Sequence, residues 1–87
     1  MLDEYLEAEE GDLVQFEVEE LGSAKGEVTL TEHLAEFKDI DVKTEERLWC
    51  LHHSLDAEKV TAVVHEGLEL NPDKEDGEGE VISFNRV

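Results

Sequence analysis

Acidic residues outnumber basic residues by 25 to 7 along this 87-residue chain, which gives a formal net charge of -18. Like charges at this density repel one another and oppose a compact state in dilute buffer. At about 1 M ionic strength the Debye length falls to about 3 Å, so concentrated salt removes most of the repulsion. The charge therefore predicts a chain that folds best in a salt-rich medium.

The acids are spread along the chain rather than gathered in one tail. Glu occurs in every third of the sequence, interleaved with Val, Leu and Phe, whereas a partner-specific acidic tail would be one block of like charges. The first four residues contain no basic or apolar stretch, and the single cysteine, Cys50, cannot form an intramolecular disulfide. We therefore expect a salt-adapted cytoplasmic protein without a signal peptide or membrane span.

The length of the chain favours one domain over residues 1–87, because a second hydrophobic core does not fit in so few residues. Leu2, Tyr5 and Leu6 form one apolar stripe, which predicts a short helix or turn within residues 1–10. The run after Asn71-Pro72 is rich in acids and Gly, which predicts an acidic, solvated loop over residues 71–80.

Alternation of apolar and polar residues predicts several half-buried strands. The flexible residues 22–26 predict a turn between the first two strands. The positions expected to face inward are Val14, Phe16, Val18, Val28, Leu30, Ile40, Val42, Ile82 and Phe84.

Two segments in the middle of the chain fit either a strand or a helix. Residues 47–53 are the least acidic stretch, but Thr44 could cap a helix that carries Leu48, Leu51 and Leu55 on one face. Residues 56–66 could form a second helix capped by Asp56. The β-branched residues of that segment favour a strand, which would pair with residues 47–53.

Taken together, five to six short strands predict an all-β or β-rich α+β fold, either a small antiparallel barrel or a rolled sheet. The segments Gly11-Asp12-Leu13-Val14 and Lys25-Gly26-Glu27-Val28 resemble the first hairpin of SH3-like small barrels over about a quarter of the chain. This resemblance assigns no functional residue.

The sharpest cluster of reactive residue types lies at positions 49–53. We consider Trp49, His52 and His53 as candidate binding residues, and Cys50, His52 and His65 as candidate zinc ligands. The zinc signal is incomplete, because a closed site needs four ligands and the usual paired-cysteine spacing is absent. A buried, packed Cys50 is the simpler interpretation, and we expect no bound metal or cofactor.

Catalysis is disfavoured by the same residues. A Cys50 thiolate could act as a nucleophile beside a histidine, but dense negative charge raises a thiol pKa, and no oxyanion-stabilising loop is evident. The acidic run at 71–80 fails as an EF-hand, because Pro72 and Ser83 would occupy positions that require carboxylates. We therefore expect no enzyme activity.

The leading hypothesis is a small non-enzymatic binding or accessory module with a protein partner, of which a second copy of the chain is the simplest. The contact would use the less charged face near Trp49 or an exposed sheet edge. One alternative is a nucleic-acid mimic that inhibits a basic DNA-binding protein, and another is a weak metal-binding regulator. Direct binding to nucleic acid or membranes is disfavoured, because the basic residues are scattered singly.

Overall fold

The computed structural model describes residues 1–54, 56–67 and 75–87. One short helix precedes six antiparallel strands, which pair in chain order and close into a barrel when the last strand pairs with the first. The elements are α1 (Leu2–Glu7), β1 (Leu13–Val18), β2 (Gly22–His33), β3 (Phe37–Lys43), β4 (Arg47–Ser54), β5 (Val60–Glu66) and β6 (Glu75–Arg86). The predicted small antiparallel barrel is confirmed.

The barrel interior is filled by the alternate side chains of every strand. Phe16, Trp49 and Phe84 are the large aromatic residues of this core, and the Phe16 ring meets the edge of Trp49 with centroids 5.3 Å apart. The remaining core is mainly Val, with Ile40, Leu51 and Ala62. Because small barrels have a narrow lumen, β-branched side chains and a few rings fill it without leaving a channel.

Helix α1 closes one end of the barrel, which we call the helix end. Tyr5 is fully buried there, and its hydroxyl donates to the carbonyl oxygens of Lys38 at 2.6 Å and Leu51 at 3.1 Å. Leu2 and Leu6 pack partly against the core. The stripe predicted from these three apolar residues therefore forms a helix whose buried face plugs the lumen.

Residues 47–53 and 60–66 form strands rather than helices, and residues 56–59 belong to the connection between them. Cross-strand pairing runs from Arg47 opposite Glu66 to His53 opposite Val60, so β4 and β5 make the expected hairpin. Leu55 lies outside the described residues.

Two inward positions were predicted wrongly because the strands contain bulges. The pairing of β2 with β3 shifts between Val28 and Leu30, and Leu30 is 53% exposed on the outer face. Likewise β6 contains one extra residue relative to β1. Val81 pairs with Val18 and Ser83 pairs with Glu17, so Ile82 between them has no partner on β1, and it is 49% exposed. A bulge reverses the inside–outside alternation beyond it, which a strict period of two does not anticipate.

Two predicted connections also differ from the structure. The first hairpin turns at residues 19–21, before Gly22, where Leu21 N–H donates to the Val18 carbonyl at 3.1 Å. Glu20 and Gly22 take the positive φ values of this turn, 69° and 89°. Residues 75–80 of the predicted acidic loop begin β6, and residues 71–74 lie outside the described part of the chain.

Candidate functional site

The three candidate binding residues do not share one surface. Trp49 and His53 point into the barrel and are 5% and 2% exposed, whereas His52 lies on the outer face of β4. The Nδ1 atom of His53 lies 3.0 Å from the Lys59 carbonyl oxygen, and its ring meets the edge of Tyr5. Both inward residues therefore belong to the packed interior, and His52 alone of the three is available to a large partner.

Strand β4 carries no acidic residue, and its outer face is the least charged part of the barrel wall. Cross-strand pairing places Leu30, Asp41, Cys50 and Val63 in one row across β2, β3, β4 and β5. A second row, parallel to the first, contains Glu32, Asp39, His52 and Thr61. Side chains opposite one another in such rows are about 5 Å apart, so each row forms a continuous surface.

These two rows line a concavity of about 330 Å³, which we call the β4 groove. Its apolar surface comes from the exposed side chain of Leu30, from half-buried Val63 and from the half-buried Cys50 between them. Carboxylates line it on the β2–β3 side: Asp39 and Asp41 on β3 and Glu32 on β2. The groove therefore combines the apolar side chains of Leu30, Cys50 and Val63 with carboxylates on β2 and β3, and Asp41 lies between Leu30 and Cys50 in the first row.

One side-chain contact joins the carboxylates of β3 to strand β4. The Nδ1 atom of His52 is hydrogen-bonded to Asp39 Oδ1, and the imidazole also lies beside the Phe37 ring, with centroids 5.9 Å apart. Asp41 lies directly opposite Cys50 in the pairing of β3 with β4, and its side chain is half-buried there. Asp39 is therefore held by a residue of the neighbouring strand β4, and Asp41 lies beside the Cys50 thiol.

Cys50 is poorly suited to act as a nucleophile. Burial, and to a smaller extent the nearby charges of Asp41 and Asp39, together raise the pKa of its thiol to about 12. Since the thiolate is the reactive species, the thiol remains protonated and unreactive near neutral pH. The sequence anticipated the effect of the acids, but the larger cause is burial.

Cys50, His52 and His65 lie on the same face of the β4–β5 hairpin but in different rows. His65 is opposite Leu48, whereas Cys50 is opposite Val63 and His52 is opposite Thr61. Within the part of the chain that the structure describes, no three Cys, His, Asp or Glu side chains are grouped so that they could hold a metal ion. The geometry gives no support to the zinc hypothesis.

Further concavities lie at the barrel ends, including one at each end that is larger than the β4 groove. The one at the helix end, about 520 Å³, is lined by Lys38 and Arg86. Lys38 Nζ donates to the carbonyl oxygens of Leu6 at 2.6 Å and Ala8 at 2.8 Å, and Arg86 pairs with carboxylates of α1. These cations are therefore already used to fasten the helix.

The opposite end of the barrel, which we call the turn end, has a wide concavity of about 670 Å³. Trp49 contributes to its lining, beside the charged residues Lys25, Glu45, Glu46 and Arg47. Since Trp49 is only 5% exposed, the surface offered there is mainly polar and of mixed charge. The β4 groove is the more apolar surface.

No protein-family model, curated protein or solved structure matches this chain. Among the described residues, no helix has both the length and the apolar character needed to cross a bilayer. The assignment of function thus depends on the geometry of the barrel surface.

Proposed function

We propose that this chain is a small, non-enzymatic binding module of a salt-rich cytoplasm, and that it contacts a protein partner through the β4 groove. The observation that carries the proposal is the row Leu30, Asp41, Cys50 and Val63, which places exposed apolar surface on an otherwise strongly acidic barrel. Exposed apolar surface flanked by polar residues is typical of protein-interaction sites.

The closed barrel supports the use of a groove rather than of a sheet edge. Each of the six strands is paired on both sides, β1 with β2 and β6. Strand addition requires a free strand edge, and in the closed barrel such an edge is limited to short stretches, such as residues 30–33 of β2, which pair with β3 but not with β1. A partner is therefore expected to recognise side chains on the outer wall.

The non-enzymatic part of the proposal is supported by the side chains that the barrel buries. The thiol of Cys50 is held protonated by its surroundings, and the pKa of Tyr5 is also raised by burial. The buried hydroxyl of Tyr5 and the amine of Lys38 are both bonded to backbone carbonyls. These groups are used to hold α1 in place.

The distribution of carboxylates supports this module over the nucleic-acid mimic. A mimic requires its carboxylates in rows on one face, whereas exposed acids here occur on α1, at both barrel ends and on several strands. Examples are Glu7 and Glu36 at the helix end, Glu20 and Glu46 at the turn end, and Glu17, Glu27 and Glu78 on the wall. Titration against basic DNA-binding proteins at high salt tests the mimic, and micromolar binding would favour it.

Site-specific photo-crosslinking tests the proposed contact. A photoreactive residue at Thr61, which is exposed in the groove, is compared with one at Gln15, which is exposed on β1 across the barrel. At high KCl in an extract of the source cells, we expect a discrete product from position 61 that disappears with Leu30→Ser. Equal products from both positions, or none from position 61, would contradict the proposal.

A further inference from the structure

We infer that the occupant of the β4 groove is a basic segment of a protein partner, in which an apolar side chain stands next to Lys or Arg. This inference rests on the proposed function, and it adds the chemistry of the partner. It follows from the order in which the two rows present apolar and negatively charged groups.

The apolar strip limits the size of the segment. Leu30 and Val63 lie on β2 and β5, three strand spacings apart, which is about 14 Å. An extended chain covers that distance in about four or five residues. A short stretch with one or two apolar side chains therefore fits over Leu30, Cys50 and Val63.

The carboxylates determine the charge of the segment. Asp39 is hydrogen-bonded to His52, and Glu32 is opposite Asp39 in the second row. Asp41 lies between Leu30 and Cys50 in the first row. Carboxylates that are already oriented lose little side-chain freedom on binding, and they pair well with Lys or Arg. An acidic segment, or the equally acidic wall of a second copy, would meet repulsion at the same positions.

Peptide binding measured by NMR tests the inference. The probes are a short peptide of alternating Lys and Leu, a second with Glu in place of Lys, and a third with Ser in place of Leu. The readout is the backbone amide shifts of Cys50, Val63 and their neighbours as each peptide is added. The buffer contains about 1 M KCl, where the Debye length of about 3 Å suppresses non-specific attraction to the acidic surface.

Matched variants separate the groove from the rest of the surface. Leu30→Ser is paired with Leu34→Ser, because the two leucines are 53% and 52% exposed and only Leu30 lines the groove. Asp39→Asn is paired with Asp56→Asn, which changes an exposed acid elsewhere. We expect the Lys–Leu peptide to bind at least about tenfold more weakly to each groove variant, a loss of about 1.4 kcal/mol, and to bind normally to each control.

The possible results distinguish this inference from the proposed function. Groove shifts caused by the Glu–Leu peptide, or by raising the concentration of the protein alone, would overturn the basic partner and leave a binding groove in place. Shifts caused by the Lys–Leu peptide all around the barrel, unaffected by Leu30→Ser, would also overturn it. The absence of groove shifts with every probe would overturn both the inference and the proposed function.

Discussion

The hydroxyl of Tyr5 lies 2.6 Å from the carbonyl oxygen of Lys38, and this hydrogen bond joins α1 to the barrel interior. The same hydroxyl reaches the Leu51 carbonyl on β4, and the Tyr5 ring packs edge-on against Phe84 at 5.4 Å. A six-residue helix is too short to be stable alone. The helix therefore depends on its contacts with the barrel, of which the buried Tyr5 side chain is the central one.

Removing only the hydroxyl of Tyr5 should destabilise the protein measurably. Tyr5→Phe keeps the ring but removes the single O–H donor that the carbonyl oxygens of Lys38 and Leu51 share, which costs about 1 to 3 kcal/mol. Tyr5→Ala also empties the lumen and should cost about 3 to 5 kcal/mol. Urea unfolding at fixed KCl measures both values, with Gln15→Ala as the exposed control. Equal stability of Tyr5→Phe and the parent would show that the hydrogen bonds contribute nothing.

Lys38 should make the stability depend on pH. Burial lowers the pKa of its amine below the ordinary value, against an opposing effect of Glu9 and Asp12. At pH values between the folded and the unfolded pKa of Lys38, the unfolded chain binds more protons than the folded chain. The free energy of unfolding therefore increases as the pH rises through this range and decreases as the pH falls.

The variant Lys38→Met isolates this effect, since Tyr5 and Cys50 titrate alike in both proteins. We expect the parent to gain stability relative to Lys38→Met as the pH rises toward 10.5, the ordinary lysine pKa. Urea midpoints across that range measure the difference. A difference that is constant or that shrinks with pH would contradict the buried cation.

Much of the barrel could be predicted from the sequence because its strands follow simple alternation. Val14, Phe16 and Val18 are buried as expected, and so are Ile40 and Val42. The period of two is a direct consequence of the pleat, so it needs no tertiary information.

The β4 groove could not be predicted in the same way. Its apolar strip exists because the bulge in β2 turns Leu30 outward, and a bulge depends on how two distant strands pair. Cys50 and His52 share the outer face because they are two residues apart on one strand, which follows from the period of two once β4 is known to be a strand. Their neighbours Asp39 and Asp41 come from another strand, and with 25 acids in the chain no spacing marks them out.

Closure of the barrel should depend on a glycine in β6. A Cβ atom at Gly79 would lie 2.7 Å from the Glu19 carbonyl oxygen and 2.9 Å from Val18 Cγ1, so Gly79→Ala forces the β1–β2 turn away. We expect a cost of about 1 to 3 kcal/mol. Gly77→Ala is the matched control, because the nearest atoms to its Cβ belong to side chains, Leu21 at 3.0 Å and Val64 at 3.8 Å, and not to the backbone. Thermal unfolding that ranks Gly77→Ala as the more damaging variant would contradict the proposed close approach.

Cys50 should react slowly with alkylating agents. The pKa of the Cys50 thiol is about 12 in the folded protein, against an ordinary value of 9.0, so the thiolate fraction near pH 8 is lower by about a thousandfold. Because only the thiolate reacts, iodoacetamide should modify the folded protein about a thousandfold more slowly than the urea-unfolded chain. Asp41→Asn should speed the reaction, and Asp56→Asn should not. Because the pKa is raised in the folded state, the stability that the protonated Cys50 thiol contributes is fully present below about pH 9. This contribution is lost as the pH rises toward 12. Equal rates for the folded and unfolded chains would refute the burial of this thiol.

Salt should stabilise the whole barrel, because the net charge of -18 is spread over a surface with few cations to balance it. Trp49 is buried against Phe16, so its fluorescence reports unfolding directly. Between about 0.1 M and 2 M KCl we expect the free energy of unfolding to rise by more than about 1.4 kcal/mol, a tenfold change in the folding equilibrium.

A variant with four neutral side chains at the turn end tests the cause of this salt effect. Glu19, Glu20, Glu45 and Glu46 are exposed in two turns at that end of the barrel. Their replacement by Gln should raise stability in dilute buffer and flatten the dependence on KCl, because fewer like charges remain to be screened. A parent protein as stable at low salt as at high salt would show that self-repulsion does not limit this fold. The spread acids would then need an explanation other than adaptation to salt.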